Sequence, residues 1–189
     1  MTPYRRLFLL PLVLVLTATG CGYNAIQTKD EAVNSALSQV KVQLQRRADL
    51  IPNLVETVKG FAAQETEVFA SVSDARARLA GAVETGSLAE MAEANTALNA
   101  PLGRLLAIVE AYPDLKSNQN FLQLQDQLEG TENRISVARQ DYNKSVEDFN
   151  GYIRRFPYNL TAKIFGQGAP REYFDLTSPD AAEAPAVKF

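Results

Sequence analysis

The strongest constraint on what this chain can fold into is a seven-residue repeat in its second half. Phe121, Leu128, Ile135, Tyr142, Phe149 and Phe156 follow one another at intervals of seven, and Leu124, Thr131, Ala138 and Ser145 form a second row between them. Sites seven apart fall on nearly one face of a helix, so the two rows read as a coiled-coil-like packing seam. No proline interrupts residues 117–155, whose glycines are Gly130 and Gly151. At about 1.5 Å per residue the run spans roughly 58 Å as a helix. Such a rod cannot bury its stripe alone, so the rest of the chain is expected to supply partner helices.

Composition narrows the chemistry. The chain has 189 residues, 46% hydrophobic and 22% charged, which suits one ordinary domain. It contains no His, and this removes Ser-His and Cys-His nucleophile pairs and His-based metal sites together. The single cysteine, Cys21, cannot close an internal disulfide. The net charge is −3, and it falls to −5 without Arg5 and Arg6. Nucleic acid is therefore not expected as a partner, because phosphate binding needs a basic footprint.

The N-terminus has the layout of a secretory signal: basic Arg5-Arg6, apolar Leu7 to Leu16, then Ala18-Thr19-Gly20 before Cys21. Small residues ahead of a cysteine resemble the lipobox of bacterial lipoproteins, in which the chain is cut before the cysteine and the cysteine carries the lipid. Ala18 stands where a Leu is usual. The alternative is an uncleaved transmembrane anchor, since residues 7–28 hold no charge and can span a bilayer of about 30 Å. Either reading places the remainder outside the cytoplasm, tethered to a membrane. With Gly22 rather than Asp after Cys21, the lipobox resemblance implies an outer-membrane lipoprotein facing the periplasm, in preference to an inner-membrane signal anchor.

A first helix is expected from about residues 26–31, with Thr28 and Glu31 as a capping box and Val33, Leu37, Val40 and Leu44 as its stripe. The next stripe position is Arg47, a charge where the phase calls for an apolar residue. A tight turn is expected across Asp49 and Pro52, in competition with one continuous helix kinked at Pro52. Leu54, Val58, Phe61, Glu65, Val68, Val72, Ala75 and Leu79 then alternate four and three as a second helix, stopping near Gly81 to Gly86. Ser87 with Glu90 caps a third, which Pro101 kinks or restarts and which Tyr112-Pro113 ends. Residues 158–176 have no clear period and read as a segment folded back on the bundle. Residues 177–189 read as a disordered tail.

The chain resembles the LemA family. The resemblance rests on Tyr23-Asn24, on Arg46-Arg47-Ala48-Asp49-Leu50-Ile51-Pro52-Asn53-Leu54-Val55 with Gly60, and on Glu110, Tyr112, Pro113 and Leu115. It continues through Phe121, Leu124-Gln125, Thr131-Glu132-Asn133-Arg134-Ile135, Ala138-Arg139, Tyr142-Asn143, Asn150 and Phe156-Pro157, covering roughly residues 22–175. It implies a helical bundle behind an N-terminal membrane segment. It implies no catalytic residues and no cofactor, and it suggests partnership with a TPM-domain protein. One branch of the family is associated with the magnetosome membrane. Cys21 is a departure, since many members have a transmembrane segment alone.

The polar residues that fall near the stripes are the candidate site. Arg46, Arg47 and Asp49 read as an ion-pair cluster at the first turn, with Glu110 as the partner of Arg47. Glu65, on a core stripe, needs a partner or a raised pKa, and a polar layer with Glu132, Arg134 and Arg139 is expected. An aromatic-Asn pair recurs at Tyr142-Asn143 and Phe149-Asn150, with the aromatics in core phase.

The expected fold is all-α: an up-and-down antiparallel four-helix bundle over residues 21–176, behind a signal or anchor at 1–20. In that layout the first helix ends short of the others and leaves Phe69, Val72, Leu79, Val146 and Ile153 partly uncovered. The expected function is a non-enzymatic, membrane-tethered interaction or scaffold protein. The alternative is a metal- or anion-dependent enzyme or sensor using bundle carboxylates or the Arg46-Arg47 turn. Di-metal bundle sites draw on Glu-x-x-His ligands, which a chain without His cannot supply.

Overall fold

The computed structural model describes residues 3–174, and of residues 3–21 only the backbone. Lipidation of Cys21 and disorder of residues 177–189 therefore lie outside the described residues. Among the described residues the chain is all-α, in seven helices: α1 (Pro3–Lys59), α2 (Thr66–Thr85), α3 (Leu88–Ala97), α4 (Asn99–Val109), α5 (Pro113–Lys116), α6 (Gln119–Arg154) and α7 (Tyr158–Ile164). None of those searched is long and apolar enough to cross a membrane.

The first helix boundary differs from the sequence expectation. No capping box opens a helix at Thr28, whose hydroxyl donates to the Asn24 carbonyl one turn back at 2.9 Å. Nor does the chain turn at Asp49 to Pro52: α1 runs through to Lys59. Proline inside a helix removes the bond to the carbonyl four residues earlier, here that of Ala48. That carbonyl is supplied from elsewhere, because Arg76 of α2 donates to it through Nε at 3.2 Å. The break comes instead at residues 60–65. Phe61, read as core, is 40% exposed there, and Glu65 is the N-cap residue of α2.

Downstream the local rules hold. Gly86 ends α2 with φ 75, donating its N–H to Ala82, in the left-handed conformation that glycine adopts without strain. The Ser87 hydroxyl accepts from the Glu90 N–H at 3.3 Å and starts α3. Pro101 sits in the first turn of α4, where its missing N–H has no helical partner to serve. Asn118 accepts from the N–H groups of Asn120 and Phe121 at the head of α6.

The chain divides into two compact units, Met1–Ser38 with Gln140–Tyr173, and Gln39–Arg139 with Phe174–Phe189. They are called here the terminal unit and the central unit. α1 and α6 contribute residues to both. In the central unit α2 packs on α3 and α4, and Leu44, Ile51, Leu54, Leu79, Met91, Leu105 and Ile135 are fully buried. The terminal unit buries Ile26, Val33, Tyr142, Val146, Phe149 and Ile153.

Much of the α6 seam is core, but Leu124, Leu128 and Ser145 are only half-buried and its last aromatic lies outside. Phe121, Ile135, Tyr142 and Phe149 are at most 2% exposed, whereas Phe156, past the helix end, is 80% exposed. Phe69, Val72, Leu79, Val146 and Ile153, expected to be uncovered, are buried. Val146 and Ile153 are buried in the terminal unit, as are Ile26 and Val33 of α1, and Phe69, Val72 and Leu79 lie in the central unit, where α2 packs on α3 and α4.

Candidate functional site

The most concentrated polar chemistry lies in the central unit, around Arg47. Its position follows from the α1 stripe: Val33, Val40, Leu44, Ile51, Leu54 and Val58 are buried, and Arg47 takes the intervening place at 6% exposure. A buried guanidinium needs partners. Nη1 donates to Asn95 Oδ1 at 2.6 Å, and Nη2 donates to Asn99 Oδ1 at 2.8 Å. Glu132 Oε2 lies 2.5 Å from Nη1 as an ion pair, although its orientation is not that of a hydrogen bond. Asn95 and Asn99 are four apart, and they extend from α3 into the start of α4 on one side. Arg47 thus ties α1 to α3, α4 and α6.

Burial lowers the Arg47 pKa from its ordinary value, and the Glu132 charge opposes that shift. A guanidinium stays protonated in proteins at physiological pH. Its Nε is buried and makes no hydrogen bond among the described residues. Arg139, one helical turn from Ile135, is lowered by burial in the same way, again against the pull of Glu132. Its guanidinium lies over the buried Phe174 ring at 4.7 Å from the centroid, a cation–π contact.

The other residues picked from the sequence are placed differently. Arg46 is exposed while Arg47 is buried, so the two guanidinium groups do not share one surface. Asp49 is exposed and accepts from Gln45 Nε2 at 2.8 Å. Glu110 does not meet Arg47; it forms an exposed ion pair with Lys116 at 2.6 Å. Glu65, in the turn before α2, is half-buried and has no ion pair among the described residues, and Arg134 is exposed. Across the two expected clusters, Arg47 from the turn cluster joins Glu132 and Arg139 from the polar layer, while Glu65, Glu110 and Arg134 stand apart. Among the described residues no three acidic or cysteine side chains converge to hold a metal ion.

A second polar arrangement, in the terminal unit, joins α6 to the extended segment after α7. Asn150 is 4% exposed; its Nδ2 donates to the Arg171 carbonyl at 2.9 Å and its Oδ1 accepts from the Arg171 N–H at 2.8 Å. The side-chain amide thus copies the paired bonds of a neighbouring strand. Tyr142, two turns earlier, donates its hydroxyl to the Glu172 carbonyl at 2.9 Å. Its pKa is raised, first by burial and also by the Glu172 charge, with Arg171 acting against both. The Arg171 side chain donates to Asp30 Oδ1 at 3.0 and 2.7 Å. Residues 171 and 172 are therefore strapped to α1 and α6.

Three functional contacts were not read from the sequence. Asn95 and Asn99 lay in an alanine-rich stretch, and their four-residue spacing was the signal that one helix side was polar. The aromatic-Asn repeat pointed to Asn150 without revealing its partner. At Gly22 a Cβ would stand 2.7 Å from Tyr158 Cδ1, so α1 and α7 approach more closely than a side chain at that position allows, and no local pattern in the sequence signals this.

Comparison with known proteins agrees with these motifs. The model of the LemA family matches residues 36–189. The chain is 29% identical over 180 residues to magnetosome protein MamQ of Magnetospirillum gryphiswaldense, covering 83% of this chain and 66% of that protein. Magnetosome protein MamQ 2 of Paramagnetospirillum magneticum is 29% identical over 167 residues, 76% of this chain and 61% of that protein. Protein LemA of Metamycoplasma hominis is 23% identical over 141 residues, 74% of this chain and 63% of that protein. The chain thus spans less than two thirds of the length of the curated relatives it matches.

Proposed function

The chain belongs to the LemA family, and from that premise we propose that it is a non-enzymatic interaction protein held at a membrane. Its helical domain works on the extracytoplasmic side, with Cys21 as the lipid-bearing tether of an outer-membrane lipoprotein. The observation that carries the non-enzymatic part is the commitment of Arg47. Both of its terminal nitrogens are taken by Asn95, Asn99 and Glu132 within a buried joint, which is a means of fixing helices. The relatives named as magnetosome proteins support a membrane setting, and the apolar run from Leu7 to Leu16 ahead of Cys21 supports the tether.

The test is expression of the full chain in a Gram-negative host, followed by fractionation and mass measurement of its N-terminal peptide. The expected result is recovery with the outer membrane and a first residue of lipid-modified Cys21. An N-terminal peptide beginning at Met1 would move the tether to an uncleaved helix. Recovery of the whole population free of membranes would overturn tethering. Crosslinking in the same cells should then capture a protein partner, and a TPM-domain protein is the candidate the family resemblance raises.

A further inference from the structure

α7 leaves one face bare. Leu160 and Ile164 are one helical turn apart, and Phe156 lies in the turn just ahead of the helix. They are 52%, 69% and 80% exposed, and the neighbouring Phe165 is 53% exposed. The other face is closed, with Thr161 and Ala162 buried in the terminal unit. Large apolar side chains grouped in water mark a contact surface.

Three observations identify what meets it. First, charge: residues 149–171 contain four basic residues and no acidic one, in a chain whose net charge is −3. Arg154, Arg155 and Lys163 are exposed beside the apolar face. Second, position: the close approach of Gly22 to Tyr158 and Thr161 sets α7 against the residue that follows Cys21. Cys21 is the tether proposed above. Third, aromatics gather at the same place. The Tyr23 and Phe165 rings lie 4.6 Å apart between centroids, and Tyr152 stacks on Tyr158 at 4.3 Å with Lys29 over its face. Aromatic rings beside basic side chains are what a bilayer–water boundary favours.

We propose that α7 lies on the surface of the bilayer that holds the tether. Phe156, Leu160 and Ile164 enter the boundary between headgroups and acyl chains, while Arg154, Arg155 and Lys163 meet anionic headgroups. The proposal rests on the tether reading above, and it adds a second point of attachment that fixes how the domain stands on the membrane.

The chain has no tryptophan, so a single Trp reports its own surroundings. Full-length Leu160→Trp is reconstituted in vesicles of three parts phosphatidylcholine to one part anionic phosphatidylglycerol, with and without brominated acyl chains. The control is Val137→Trp, at a position 56% exposed in the central unit. The expected result is a blue-shifted emission for Leu160→Trp, quenched about threefold by brominated lipid, with the control unchanged. Phe156→Trp should follow Leu160→Trp. Vesicle flotation is read separately. A chain that floats while Leu160→Trp and Phe156→Trp stay unquenched overturns the α7 contact, makes this face a protein-binding or self-association surface, and leaves the tether standing. A chain that does not float overturns both.

Discussion

In the central unit the buried polar centre is a charge, Arg47, held by two side-chain amides and a carboxylate. In the terminal unit it is a neutral amide, Asn150, held by the backbone of Arg171. The same two helices, α1 and α6, serve both units. The difference lies in what is lost when the joint fails. A buried guanidinium without partners keeps its charge and cannot be rehydrated in place, so its network stands or falls together. The Asn150 clamp closes on an exposed segment, whose released backbone groups can turn to water. The first joint defines a core; the second secures a strap.

The comparison breaks most visibly at Arg47. Arg47→Ala should cost about 3–5 kcal/mol, because it opens a cavity and leaves the buried Asn95 oxygen unpaired. Urea unfolding of the full chain measures this, and a loss smaller than that of Asn150→Ala would invert the distinction. Glu132→Ala should cost about 1–2 kcal/mol, less than the loss of a fully buried partner, since its side chain is 46% exposed and screened by solvent.

Asn150→Ala should cost about 2 kcal/mol for its two bonds, with faster hydrogen exchange at the Arg171 amide as its local signature. Unchanged exchange at that amide would show that the strap is held by something else. Tyr142→Phe should cost about 1 kcal/mol. The phenol also gives the strap a pH dependence. Its folded pKa lies above the unfolded value of about 10. The unfolded chain therefore releases this proton first as pH rises. The contribution is complete below about 10 and is lost as pH rises through the folded pKa. Tyr142→Phe should remove that part of the alkaline loss. The smallest effect is expected at Glu65→Lys, below about 1 kcal/mol, because the half-buried side chain at the N-cap position of α2 makes no capping hydrogen bond and acts mainly through the helix dipole.

The parts of this fold that were legible in the sequence depend on periodicity and on local capping. The α6 seam, the Gly86 stop and the Ser87 start are properties of short stretches. Arg47 announced itself as a charge in an apolar phase. Pro52 misled because the rule that proline ends a helix concerns the helix alone, and the donor that rescues this one lies in α2. Glu65 misled for a different reason. Leu54 and Val58 before the break, and Val72 and Leu79 after it, keep compatible spacing across residues 60–65, so a turn passed for a continuous stripe. The partners of Asn95, Asn99 and Asn150 were not legible, since a side-chain amide has no periodic signature.

The rescue of Pro52 also constrains the order in which this sequence can have changed. The Ala48 residue is fully buried, so a proline that arrives before Arg76 strands its carbonyl where water cannot reach. An arginine that arrives first does no such harm. The permissive path is arginine and then proline, and on the way out the proline must leave before the arginine is free to drift. Across related chains, proline at position 52 is therefore expected to be scarce wherever position 76 lacks a side-chain donor. A set of relatives in which the two positions vary independently would show that Ala48 has another way to be satisfied.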